Sequence, residues 1–291
     1  MDIDAADPGL RRALETLGER CHAADVTLHP GTAVGEDQGA PRLVRRAGTP
    51  AGPVLDLPRA AGIPLAAGTV IVAQDRPVMA GAPEDPVRRG LLEAALAVHE
   101  AAGTVARLRK TDPWLTLQAA PELLRTLLAG RRGDPRVETA RLLLTRDRQE
   151  ALLAERFLAA RTVPDAEGKP VLLPLAEYAA HDPAAPRLQT RMGRDGTPLG
   201  VRLPGEETPG EEGGDADRPC RLCWESLDAV DAYLLKGLDP TRMGEPGFLR
   251  SVPLTLNLGD GRSIGVDSRM EGGPLVPLPP EHEDLRPWLP A

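Results

Sequence analysis

Between Asp85 and Val163, apolar positions recur at three- and four-residue steps, and the pattern predicts three consecutive helices. Val87, Leu91, Ala94, Val98, Ala102 and Val105 make one apolar face over 86–110. Trp114, Leu115 and Leu117 begin a second helix, which Pro121 interrupts and Gly130 ends. Val137, Leu143, Leu144, Leu152, Phe157 and Leu158 give the apolar side of a third over 135–161, with Arg146, Asp147, Arg148 and Glu150 in solvent. Each start carries the same dipeptide: Asp85-Pro86, Asp112-Pro113 and Asp134-Pro135. The Asp side chain accepts from backbone N–H groups that have no helical partner, and a proline at the first helical position loses no hydrogen bond.

Ahead of this stretch, Leu10, Ala13, Leu14, Leu17 and Cys21 predict an amphipathic helix over 7–22. A short alternating strand is expected over 24–29, a polar loop over 31–41, and strands over 42–47 and 52–57. Segments 62–65 and 69–74 read as a strand pair joined at Ala66-Ala67-Gly68, and 75–84 as a loop into the first long helix. Beyond the helices, 169–175 is apolar but broken by Pro170 and Pro174, which suits an edge or extended segment. A strand is expected over 198–203 and a helix over 226–238. A hairpin is expected from 252–258 and 263–266 around Gly259-Asp260-Gly261. The fold class is therefore α/β of the α+β kind: a small antiparallel sheet with flanking helices, a helical middle segment, and a second, irregular α+β part. The expected parts are 1–110, 111–163 and 164–291, the last with an acidic flexible loop over 204–217 that has nothing to bury.

The run Gly62-Ile63-Pro64-Leu65-Ala66-Ala67-Gly68-Thr69-Val70-Ile71-Val72-Ala73-Gln74, followed by Arg76-Pro77, Glu84-Asp85 and Leu91-Leu92-Glu93-Ala94-Ala95, resembles a shortened GAF-type sensor domain. The resemblance covers the first third of the chain and is one of hydrophobic pattern. The long segment that forms the ligand pocket in typical members is nearly absent between Leu57 and Gly62. The resemblance therefore implies a dimerising or partner-binding role more than ligand binding, and no functional residue carries over.

Composition narrows the classes. The 291 residues suffice for about two domains, and only 2% are aromatic, so Leu, Val and Ala must fill the core. A net charge of -8 and scattered double arginines argue against nucleic acid and anionic membranes as partners. No apolar run approaches a membrane span, the N-terminus is acidic, and three cysteines make no disulfide framework. A cytoplasmic location is expected.

The most specific short motif is Cys220-Arg221-Leu222-Cys223, two thiolates that could share one tetrahedral zinc. With no second such pair, two of Cys21, His22, His29, His181 and His282 would have to complete a zinc site, and His181 and His282 are the two assigned. Two reduced cysteines in a loop or packed under Trp224 is the simpler reading. A redox pair ahead of a helix comes third. Gly261-Arg262-Ser263-Ile264-Gly265 matches a nucleophile elbow, but a turn precedes the serine and strand follows it, so a hairpin is favoured. His99 reads as a surface or half-buried side chain, and His29 as a turn residue before Pro30-Gly31. Glu206-Glu207 and Glu211-Glu212 lie in flexible sequence, without the fixed geometry that carboxylate catalysis needs. No phosphate-binding glycine loop precedes a helix. The expectation is a non-enzymatic regulatory or scaffold protein that works through a protein partner or as a homodimer. The alternative is a zinc-binding module, and a hydrolase built on Ser263 comes third.

Overall fold

The computed structural model describes residues 1–50, 52–112, 114, 137–138, 149–165, 167–182, 185–205, 217–223 and 235, and the backbone of strands at 252–257, 263–270 and 275–277. Among these it is a mixed α+β chain, as the periodicity indicates. Helix α1 (Pro8–Ala23) starts where Asp7 accepts from the Leu10 amide at 2.7 Å, and α2 (Pro86–Ala101) where Asp85 accepts from Val87 and Arg88. Both have the expected proline at their first position. Leu10, Leu14 and Leu17 of α1 and Leu91, Leu92 and Val98 of α2 are fully buried where the two helices pack. Burial of each such side chain favours folding by roughly 1.5–3 kcal/mol.

Two compact units divide the chain, and each is assembled from separated segments. One comprises Met1–Val105 with Arg161–Ser226, the other Ala106–Ala160 with Leu227–Ala291. The expected division into 1–110, 111–163 and 164–291 is corrected accordingly, because strands from after the helices return to pair with strands from before them.

In the first unit, β1 (Asp2–Asp4) runs parallel to β3 (Thr32–Asp37). β3 forms a hairpin with β4 (Ala40–Arg45), and β14 (Arg218–Pro219) closes that sheet. A second, antiparallel sheet has the order β2 (Thr27–Leu28), β5 (Leu55–Pro58), β13 (Pro198–Leu203), β12 (Gln189–Met192). Strand β6 (Ile63–Pro64) pairs with β10 (Pro170–Leu172), which also pairs with β9 (Thr162–Pro164). β7 (Val70–Ala73) and β8 (Arg76–Met79) make a separate hairpin. β11 (Ala180–His181) runs parallel to β15 (Arg221–Leu222). Described elements of the second unit include α4 (Gln149–Ala159) and the meander β16 (Val252–Asn257), β17 (Ser263–Met270), β18 (Leu275–Pro277). Helix α3 (Thr104–Thr111) begins in the first unit and continues into the second.

Several expectations are corrected. The polar loop at 31–41 is the β3–β4 hairpin. Its turn residues Gln38 and Gly39 lie at φ 51° and 75°, the paired positive angles of a primed two-residue turn. The same device, Gln74 at 53° and Asp75 at 59°, joins β7 to β8 where a loop is expected. Segments 62–65 and 69–74 consequently pair with β10 and β8 and not with each other, so the hairpin that carries the GAF-type resemblance is spread over two sheets. The helix expected over 86–110 breaks at Gly103, whose φ of 61° leaves the right-handed helical region. The 198–203 strand and the pairing of 252–257 with 263–268 are as expected. The helices expected at 113–129 and 226–238, the acid pairs at 206–207 and 211–212 and the turn at 259–261 fall outside the described residues, or nearly wholly so.

Candidate functional site

The antiparallel sheet β2–β5–β13–β12 sorts its residues by alternation. Leu55 and Leu57 of β5 and Leu203 of β13 are fully buried on one face. Asp56 and Arg202 lie on the other, as register partners across the β5–β13 pair, with Thr27 the partner of Asp56 on β2. Arg202 grips Asp56 as a fork, Nε to Oδ1 at 2.7 Å and Nη2 to Oδ2 at 2.9 Å. His29 Nε2 lies 3.2 Å from Oδ2 of the same carboxylate. Arg191 of β12 approaches it at 3.8 Å, an ion pair too long for a hydrogen bond.

Asp56 is nearly covered, with 10% of its side chain exposed, whereas Arg191 and Arg202 are 38% and 37% exposed. The Arg202 fork, followed by the His29 bond and the charge of Arg191, holds the Asp56 carboxyl at about 2, against the upward push of burial. Two guanidinium charges therefore face one carboxylate and leave a positive charge over, in a chain of net charge -8. The corrected reading of His29 is as a ligand of this carboxylate as well as a strand-end residue.

A second polar centre lies within the same unit, beneath α2. His99 is buried, in place of the surface or half-buried position expected for it, and its Nε2 lies 2.8 Å from Oε2 of Glu177. Its Nδ1 is 3.2 Å from Oγ1 of Thr104, and its ring meets that of Tyr178 edge-on at 5.9 Å between centroids. Glu177 and Tyr178 sit on a 3-10 turn (Ala176–Tyr178) that follows Leu175, a buried residue at φ 66°. A branched residue held in that region marks local strain of order 1–3 kcal/mol. Burial, reinforced by the Glu177 charge, pushes the Cys21 thiol up to about 12. Burial also raises the Tyr178 phenol well above its ordinary value, with Glu177 and Cys21 adding and Arg161 opposing.

The expected zinc donors are distributed as follows. Cys220 and Cys223 are buried free thiols that flank the two-residue strand β15, and His181 is buried on β11 as the register partner of Leu222. The Cys220 amide donates to the Leu43 carbonyl, the Cys223 amide to that of Pro186, and Asp182 is paired with Arg221. His282 lies outside the described residues. Among the described residues no three His, Cys, Asp or Glu side chains form a group that could hold a metal ion. Ser263 opens strand β17 opposite Asn257, so the residues after it continue as strand where an elbow requires helix. No helix among the described residues is long and apolar enough to cross a membrane.

The second unit has a buried pair of its own. Arg156 Nε meets Oδ2 of Asp112 at 2.5 Å, Nη1 donates to the Leu235 carbonyl at 2.6 Å, and the guanidinium carbon sits 4.2 Å from the Trp114 ring centroid. Arg156 is thereby satisfied on its edges and on one face.

No protein-family model matches the chain, and no curated protein matches it. Among solved structures, the SET domain of LSMT bound to lysine and AdoHcy is similar at 13% identity and a TM-score of 0.43, over 94% of this chain and 69% of that one. That neighbour is a SET domain bound to two small ligands, and the expectation of a non-enzymatic regulatory or scaffold protein is not carried further. At this identity and TM-score it assigns the chain no family and no activity.

Proposed function

We propose that the chain binds a small oxyanion, a carboxylate or phosphate group, between Arg191 and Arg202 on the polar face of the β2–β5–β13–β12 sheet. The supporting observation is donor capacity left over once Asp56 is satisfied. The Arg202 fork engages Nε and Nη2 and leaves Nη1 without a hydrogen bond among the described residues. Among the described residues Arg191 makes only the 3.8 Å approach to Asp56. Guanidinium groups present planar forks that match carboxylate and phosphate oxygens, and charge-assisted bonds of this kind are the stronger ones. Asp56 keeps Arg202 oriented, so part of the ordering cost is met before a ligand arrives.

Titration with inorganic phosphate and with acetate, followed by amide chemical shifts or calorimetry, tests the reading. Saturable binding is expected, weakened by added salt and about tenfold weaker in Arg191→Gln, which corresponds to the loss of roughly 1.4 kcal/mol. Absence of saturable binding to either anion refutes it, as does binding that Arg191→Gln leaves unchanged.

A further inference from the structure

The buried centre beneath α2 carries an inference independent of the arginine face. Two of its oxygens, Oε1 of Glu177 and the hydroxyl of Tyr178, are buried and make no hydrogen bond among the described residues. The Glu177 side chain has no exposed surface, and Tyr178 is 4% exposed. Buried polar groups are paired in the great majority of cases, because an unmade hydrogen bond leaves the desolvation cost uncompensated.

Neighbouring groups fix the polarity of what would satisfy them. Tyr178 is held as a neutral phenol by its burial, so its hydroxyl can donate. Glu177 has committed Oε2 to His99 and offers Oε1 as an acceptor. Both side chains border the His99 imidazole, one by hydrogen bond and the other edge-on, yet they make no bond to each other. A guest here must accept from Tyr178 and donate to Glu177, and water has both capacities.

We propose that one long-lived internal water bridges the Tyr178 hydroxyl and Oε1 of Glu177, completing the hydrogen bonding of the His99 centre. The strained Leu175 backbone, which presents the 3-10 turn to α2, supports a polar site specified by the fold.

Oxygen-17 magnetic relaxation dispersion of the full chain counts waters held for longer than nanoseconds. The wild type is expected to lose one long-lived water in Tyr178→Phe, which removes only the hydroxyl. High-resolution diffraction is expected to show a single density peak within hydrogen-bond distance of both oxygens. An unchanged water count in Tyr178→Phe, or a direct bond between the two oxygens in the diffraction structure, overturns the proposal. If Tyr178→Phe fails to fold, the diffraction experiment on wild-type protein decides alone. Density larger than one water would equally overturn it and mark the site as a ligand pocket.

Discussion

Arg202 meets Asp56 edge-on across the β5–β13 pair, with both carboxylate oxygens bonded by adjacent nitrogens of one guanidinium. The two residues are 146 positions apart in the chain, and strand register alone places them opposite one another.

This pair makes stability depend on acid pH. Asp56 titrates at about 2 when folded, against an ordinary value of 3.8. A carboxyl whose folded value is depressed favours the folded state fully above its unfolded value, and the benefit is lost as pH falls through the folded one. The contribution is on the order of 1–2 kcal/mol after screening at the exposed arginines is allowed for. Urea unfolding of wild type and Asp56→Asn should differ most above pH 4 and converge toward pH 2. A difference constant over that range would count against the assignment.

Gly200 secures the same strand pair from the backbone side. A Cβ built there would stand 2.0 Å from the Leu57 carbonyl oxygen and 2.9 Å from Cα of Pro58, so β5 and β13 could accommodate it only by separating. Gly200→Ala is expected to cost roughly 1–3 kcal/mol in thermal or urea unfolding and to weaken phosphate binding through Arg202. A neutral substitution would show that the strands part freely.

In the second unit, Arg156→Met should be far more damaging than its loss of charge suggests. It removes the guanidinium that faces the buried Asp112 carboxylate, at a cost of roughly 3–5 kcal/mol. Adding Asp112→Leu should recover part of that loss, because the double variant buries neither charge of the pair. Chemical denaturation of the two single variants and the double gives the coupling directly. Strict additivity would mean the pair contributes little.

Cys21 should resist alkylation. With its thiol pushed up to about 12, almost no thiolate exists at neutral pH, and the side chain is 2% exposed. Iodoacetamide should label Cys21 only after denaturant is added, as peptide mass mapping would show. Rapid labelling in the native state would contradict the burial.

Zinc is addressed by native mass spectrometry of protein prepared without chelators. Cys220 and Cys223 flank β15 and His181 lies on β11, and the mass of the intact chain reads directly whether they hold a metal. A surplus of one zinc per chain, abolished by Cys220→Ser with Cys223→Ser, would make this pair a metal site.

Local features of this protein can be read from neighbouring residues. Asp7-Pro8 and Asp85-Pro86 announced their helices because capping and proline geometry act within one turn. The spacing of Leu10, Leu14 and Leu17 showed which face of α1 would be buried. The β3–β4 and β7–β8 hairpins are not legible in the sequence because Gln38 and Gln74 are not residues that usually signal positive φ.

The site depends on long-range packing. Asp56 lies on β5 and His29 just after β2, Arg191 on β12 and Arg202 on β13, and His99 lies 78 positions from Glu177. No short-range spacing records such pairings. They arise when burial of the leucine faces fixes the strand register, and that register brings the charged residues opposite one another.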